Sequence, residues 1–120
     1  MGAPVVHFEI LGQQGKALQE FYANLFGWKI NADNPMGYGL VDTDSDGKGI
    51  GGGIGGANEG EPGWVTFYVE VDNLQAYLDK VAKHGGKTIV PITEIPEMVT
   101  FAVFQDPEGH MVGLVKGQAG

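Results

Sequence analysis

The amino-acid sequence predicts an α+β fold built from two βαβββ modules, and three observations carry that prediction. First, an apolar helical stripe occurs twice. Leu18, Phe21, Tyr22, Leu25 and Phe26 follow i, i+3, i+4, i+7, i+8 spacing, and Leu74, Tyr77, Leu78, Val81 and Ala82 repeat it 56 positions later. Second, a strand-like run precedes each stripe, PVVHFEI from residue 4 and WVTFYVEV from residue 64. Third, each stripe ends at glycine, Gly27 or Gly85-Gly86, where a helix C-cap is expected.

The remaining elements follow in the same order in both halves. A Lys and a β-branched run come next, WKI at 28–30 and KTIV at 87–90. Two further strands close each half: YGLVD and GIGGGIG in the first, VTFAVFQ and HMVGLV in the second. Module one spans about 4–56 and module two about 63–116. The joint ANEGEPG (57–63) is too short to tether independent domains, so residues 1–120 are expected to form one domain. The DPEG run (106–109) marks the turn of the last hairpin, and Asp46-Gly47 marks the centre of an earlier one.

Composition narrows the function classes. The chain has no Cys, which excludes disulfides and thiolate metal sites. The net charge of −8 repels phosphate backbones, so no nucleic-acid partner is expected, and a cationic ligand would be favoured. No apolar run approaches the ~20 residues of a membrane span, and MGAPVVHFEI lacks a basic leader. The expectation is a cytoplasmic protein with no membrane association. The acidic run VDTDSDGKG (41–49) is not a calcium loop, because the position of its closing Glu is Gly53. The glycine-rich stretch before residue 60 leads into a strand rather than a helix, which argues against a phosphate cradle.

Strand alternation sorts the side chains by face. Val6, Phe8 and Ile10 share one face of the first strand; Val5, His7 and Glu9 share the other. In the fifth strand Val65, Phe67, Val69 and Val71 oppose Trp64, Thr66, Tyr68 and Glu70. The apolar faces are expected to meet the helices, and the mixed faces to line a cavity between the modules.

Paired βαβββ modules, an early His7, the segment EFYANLFGWKI and the closing FQDPEGHMVGL resemble the vicinal oxygen chelate superfamily. That family includes glyoxalase I, extradiol dioxygenases, fosfomycin-resistance enzymes and bleomycin-resistance proteins. The resemblance covers about Val5 to Val115 and implies an open, barrel-like mixed-sheet cavity. It also implies four metal-ligand places, on the first and last strands of each module. Carried over, these fall on His7, Gly53, Thr66 and Gly113. Two of the four have no side chain, and a neutral hydroxyl is a poor ligand for a divalent ion.

The sequence therefore points to a member with no metal and no cofactor. Its expected role is metal-independent binding of a small, aromatic or cationic molecule, similar to bleomycin-resistance proteins that sequester a toxic compound. The alternative is a metal-free isomerase, epimerase or lyase with His7 and Glu9 as acid–base groups; a metal-dependent glyoxalase or dioxygenase ranks third. Candidate ligand-binding residues are His7, Glu9, Tyr38, Gly53, Trp64, Thr66, Tyr68, Met98, Phe101 and Gly113. Gly53 and Gly113 are expected to enlarge the pocket, and Tyr38, Met98 and Phe101 to supply apolar walls. Neither His84 nor His110 is assigned a catalytic role. A homodimer is expected, with the GIGGGIG strand as an exposed edge and Trp28 and Trp64 as large apolar groups near strand starts.

Overall fold

A computed structural model describes residues 2–44 and 46–117. Ser45, inside the predicted Asp46-Gly47 turn, lies outside the described residues. The elements run in the expected order: β1 (Val5–Gly12), α1 (Gly15–Phe26), β2 (Lys29–Asn31), β3 (Gly39–Asp42) and β4 (Gly52–Gly56), then β5 (Trp64–Val71), α2 (Leu74–Lys83), β6 (Lys87–Ile95), β7 (Val99–Gln105) and β8 (Met111–Lys116). His7–Val65 form one compact unit; the segment up to Val6 and the chain from Thr66 onward form the second.

Each unit repeats the same topology. In the first the strand order is β2-β3-β4-β1, and in the second β6-β7-β8-β5. β1 pairs parallel with β4, and β5 parallel with β8; the other pairs are antiparallel. The register fixes the internal equivalences. Glu9 sits opposite Gly53, and Tyr68 sits opposite Gly113. β4 lies between β3 and β1, so the glycine-rich strand is not the edge that the sequence suggested; that place belongs to β2.

The helices show why a sequence stripe is not yet a packed face. α1 buries no residue fully, and Phe21, Leu25 and Phe26 are 56%, 57% and 57% exposed. The side it turns inward carries Gly15, Leu18, Gln19, Tyr22 and Ala23. Gln19 explains this choice: its side-chain amide donates to the Ile54 carbonyl (2.7 Å) and the Gly37 carbonyl (3.1 Å), anchoring α1 on β4. α2 turns Leu74, Tyr77, Leu78 and Val81 inward. Leu74 and Leu78 join Val71, Ala102 and Leu114 in a core flanked by Val69, Tyr77 and Phe104. Asn73 caps α2 by accepting from the Ala76 N–H at 3.0 Å. α1 ends at Gly27, whose φ of 73° is the left-handed cap that glycine adopts without strain.

The apolar face of β5 is only half covered. Val69 and Val71 meet α2, but Val65 is 77% and Phe67 42% exposed. The reason is length: the ten residues of α2 span about 15 Å, whereas the eight of β5 span about 26 Å. The last hairpin forms as expected, with Gly109 at φ 94° and Asp106 Oδ1 accepting from the Glu108 and His110 N–H groups. The earlier turn is organised by Asp44, which accepts from the N–H groups of Asp46, Lys48 and Gly49.

Candidate functional site

In the His7–Val65 unit, β1 and β4 lie side by side and place His7, Glu9 and Gly53 on one sheet face. The loop before β3 brings Tyr38 over them. Asn34 shapes that loop: its Oδ1 accepts from the Met36 and Tyr38 N–H groups, and its Nδ2 donates to the Tyr38 carbonyl at 2.6 Å. The Tyr38 hydroxyl then donates to Glu9 Oε2 at 2.7 Å, and His7 Nε2 lies 2.9 Å from the same hydroxyl. The Trp64 indole N–H donates to Glu9 Oε1 at 2.8 Å. Glu9 itself is only 7% exposed, while His7, Tyr38 and Trp64 are half-buried and present the solvent-reachable edge.

This geometry sets the protonation pattern. The phenol has one hydrogen and gives it to Glu9, so its oxygen accepts from His7, and the neutral imidazole carries its proton on Nε2. Burial holds the His7 pKa below its ordinary value, against the opposing charge of Glu9. A buried carboxyl with two well-formed donors is a satisfied group, which makes the network a rigid unit rather than a loose cluster.

The glycines do not enlarge a pocket. A side-chain carbon at Gly53 would overlap the Tyr38 phenol, and one at Gly113 would overlap the Tyr68 ring. The volume that each glycine releases is filled by a tyrosine. Tyr38 is correspondingly a polar bridge rather than the apolar wall expected from sequence.

In the other unit, Tyr68 is 8% exposed, lies against Gly113 and meets Phe101 edge-on, with ring centroids 6.4 Å apart. Thr66, 7% exposed, donates its hydroxyl to the Met111 carbonyl at 2.5 Å. Met98 lies in the β6–β7 turn and is 47% exposed. His84 caps the end of α2, and the His110 side chain is 72% exposed beside Asp106.

The donor set does not fit the divalent metal that the resemblance implies. Among the described residues no three His, Cys, Asp or Glu side chains gather to hold an ion. Positions 53 and 113 supply no donor, the Thr66 hydroxyl is spent on a backbone carbonyl, and a phenol bridges His7 to Glu9. Sequence reasoning missed Asn34 and Gln19. The Asn34-Pro35 pair with Gly37 downstream is a turn signal that could have flagged the loop; nothing flagged Gln19, which sits where a helix face ordinarily carries Leu.

Comparisons with known proteins agree with this architecture. The model of the Glyoxalase/Bleomycin resistance protein/Dioxygenase superfamily matches residues 5–114. The "Putative glyoxylase CFP32" of Mycobacterium tuberculosis is 33% identical over 104 residues, covering 82% of this chain and 40% of that protein. The chain thus spans about two-fifths of the length of that relative. A glyoxylase-like domain-containing protein of Didymella fabae is 28% identical over 120 residues, covering 88% of this chain and 91% of its own. Among solved structures, a methylmalonyl-CoA epimerase from Mycobacterium tuberculosis superposes with a TM-score of 0.67 at 13% identity, over 95% of this chain and 87% of that one. A superfamily member from Vibrio splendidus gives 0.64 at 17%, over 97% and 100%.

Proposed function

Since the chain belongs to the Glyoxalase/Bleomycin resistance protein/Dioxygenase superfamily, we propose that it binds a small organic molecule without a metal. The ligand is held at the edge formed by His7, Tyr38 and Trp64 above the buried Glu9. One observation carries the reading: the Tyr38 phenol takes the space that a side chain at position 53 would need and bonds to both His7 and Glu9. Two aromatic faces beside a carboxylate, in a chain of net charge −8, favour an aromatic or cationic ligand. The reading includes a cytoplasmic homodimer of single-domain chains. Among the described residues no helix is long and apolar enough to cross a membrane. The test is a thermal-shift screen of aromatic amines and related small molecules on chelator-treated protein, paired with elemental analysis. Stabilisation that survives chelation, and is lost in Trp64→Ala, is the expected result. One tightly held zinc, nickel, manganese or iron per chain, with binding lost on chelation, overturns it.

A second reading, favoured by the His7–Tyr38–Glu9 hydrogen-bond chain, is a metal-free isomerase or epimerase. A neutral imidazole linked through a phenol to a carboxylate can take up a proton and share the resulting charge. The epimerase structures share the fold with this chain at 13–16% identity, so they support this reading through the scaffold alone. Deuterium entering C2 of methylmalonyl-CoA in heavy water, and absent with Glu9→Gln, would favour this reading over pure binding; no exchange above background removes it for that substrate.

A further inference from the structure

The two units put different side chains at one place on their helices. The step in sequence from Glu9 to Tyr68, each set opposite its glycine, carries Gln19 of α1 onto Leu78 of α2. Leu78 is 6% exposed and packs in a core with Ala102 and Leu114, which are register partners. The corresponding register pair in the His7–Val65 unit is Gly39 and Ile54, and an amide stands over it in place of a leucine. A side-chain carbon at 39 would come within 2.8 Å of Gln19 Nε2, so the bare Gly39 makes room for that amide. A glutamine turned toward the sheet gives up apolar packing, and both of its amide hydrogens need acceptors. Both find one: Nε2 donates to the Ile54 carbonyl at 2.7 Å and to the Gly37 carbonyl at 3.1 Å.

Gly37 immediately precedes Tyr38, and Ile54 immediately follows Gly53. One side chain therefore ties together the two backbone segments that carry the phenol and the glycine beneath it. Asn34 does not serve that purpose. Its hydrogen bonds stay within residues 32–38, so it sets the shape of the loop without attaching it to the sheet. We propose that Gln19 is a positioning residue: it holds the Tyr38 phenol over Gly53, between His7 and Glu9. It acts through Tyr38, and its role rests on the reading of the His7, Tyr38 and Trp64 edge as the ligand site. The polar exception on the inward face of α1 then has a reason. A leucine there would pack as Leu78 does, but it would leave the Tyr38 loop without its tie to β4.

The test compares the ring resonances of His7 and Trp64, by two-dimensional NMR of the full chain, in wild type, Gln19→Leu, Tyr38→Ala and the double variant. The His7 ring lies 6.3 Å from the Tyr38 ring, and the Trp64 indole N–H shares Glu9 with the phenol. Tyr38→Ala therefore marks where both signals fall once the phenol is gone. Gln19→Leu is expected to move both signals most of the way to those positions while native amide dispersion is kept. In the Tyr38→Ala background it should move them little further, because the two changes act through one contact. Gln19→Met, which keeps the side-chain length and removes both donors, should do the same. A role confined to packing would lower stability and leave both signals at their wild-type positions. The proposal is overturned if either folded variant leaves them there. Equal displacements in the two backgrounds also overturn it, since Gln19 would then act outside Tyr38. So does loss of native dispersion in both variants, which would make Gln19 a residue of the fold alone. No ligand enters these spectra, so they stand or fail apart from the ligand screen.

Discussion

The phenol of Tyr38 occupies the space in which a side chain at position 53 would stand. The two positions are therefore coupled through volume, and the coupling is measurable. Gly53→Ala should cost roughly 1–3 kcal/mol by overpacking. Reducing the ring in a Tyr38→Ala/Gly53→Ala double variant should recover most of that increment, so the two changes will not add. Urea unfolding of the four proteins in the cycle checks this. Additive costs would mean that the ring does not press on residue 53.

The Glu9 carboxyl receives one hydrogen bond from Tyr38 and one from Trp64. Tyr38→Phe keeps the ring and removes one donor; Trp64→Phe removes the other donor together with part of the indole volume. Each should destabilise by about 1–3 kcal/mol, the cost of leaving a buried acceptor short of a partner. Glu9→Gln should reduce the loss seen on adding Tyr38→Phe, because a neutral acceptor has less to lose. Chemical denaturation at pH 7 reads all three.

The paired modules were legible because their signals are local: apolar spacing for helices, alternation for strands, and glycine at Gly27, Gly85 and Gly109 for the stops. The Gly53 and Gly113 positions were also legible, but their use was not. Whether a glycine opens a cavity or admits a ring depends on which distant side chain arrives. Tyr38 reaches Gly53 through a loop shaped by Asn34, a contact that spacing does not encode. The buried side of α1 was misread for a related reason. Phe21, Leu25 and Phe26 are more apolar than Gln19 and Ala23, yet two carbonyl acceptors on the sheet side hold Gln19 inward.

The lowered pKa of His7 makes stability depend on pH in a defined direction. The folded state holds a neutral imidazole by burial, so on acidification the unfolded chain takes up the proton first, near the ordinary value of 6.5. Stability should fall as pH drops through that value and level off below the folded-state pKa. His7→Gln should flatten the decline between pH 7.5 and the onset of carboxylate titration. Asp44 and Asp106 act in a separate window, because backbone N–H groups lower their pKa values. Their contribution is present above 3.8 and is lost as pH falls through the folded values. Unfolding free energies measured from pH 8 to pH 3 separate the two; an unchanged slope in His7→Gln would contradict the assignment.

Oligomeric state is the last expectation. The apolar groups offered to a partner are not the tryptophans named from sequence. Trp28 is packed among Tyr22, Phe26 and Phe8, and Trp64 is bonded to Glu9. The α1 surface instead presents Phe21, Leu25 and Phe26, each more than half exposed within one turn and a half of helix. Three large apolar side chains on one stretch form the kind of patch that marks an interaction surface. A two-fold pairing through α1 is self-complementary, as closed symmetry requires, and a specific contact should bury at least about 1,000 Å² in total. Sedimentation at micromolar concentration should give twice the 12.7 kDa chain mass. Phe21→Lys with Leu25→Glu should return the single-chain mass without unfolding the protein, because neither side chain lies in a core. A wild-type chain that sediments at the single mass removes the dimer, and a double variant that still pairs moves the interface away from α1.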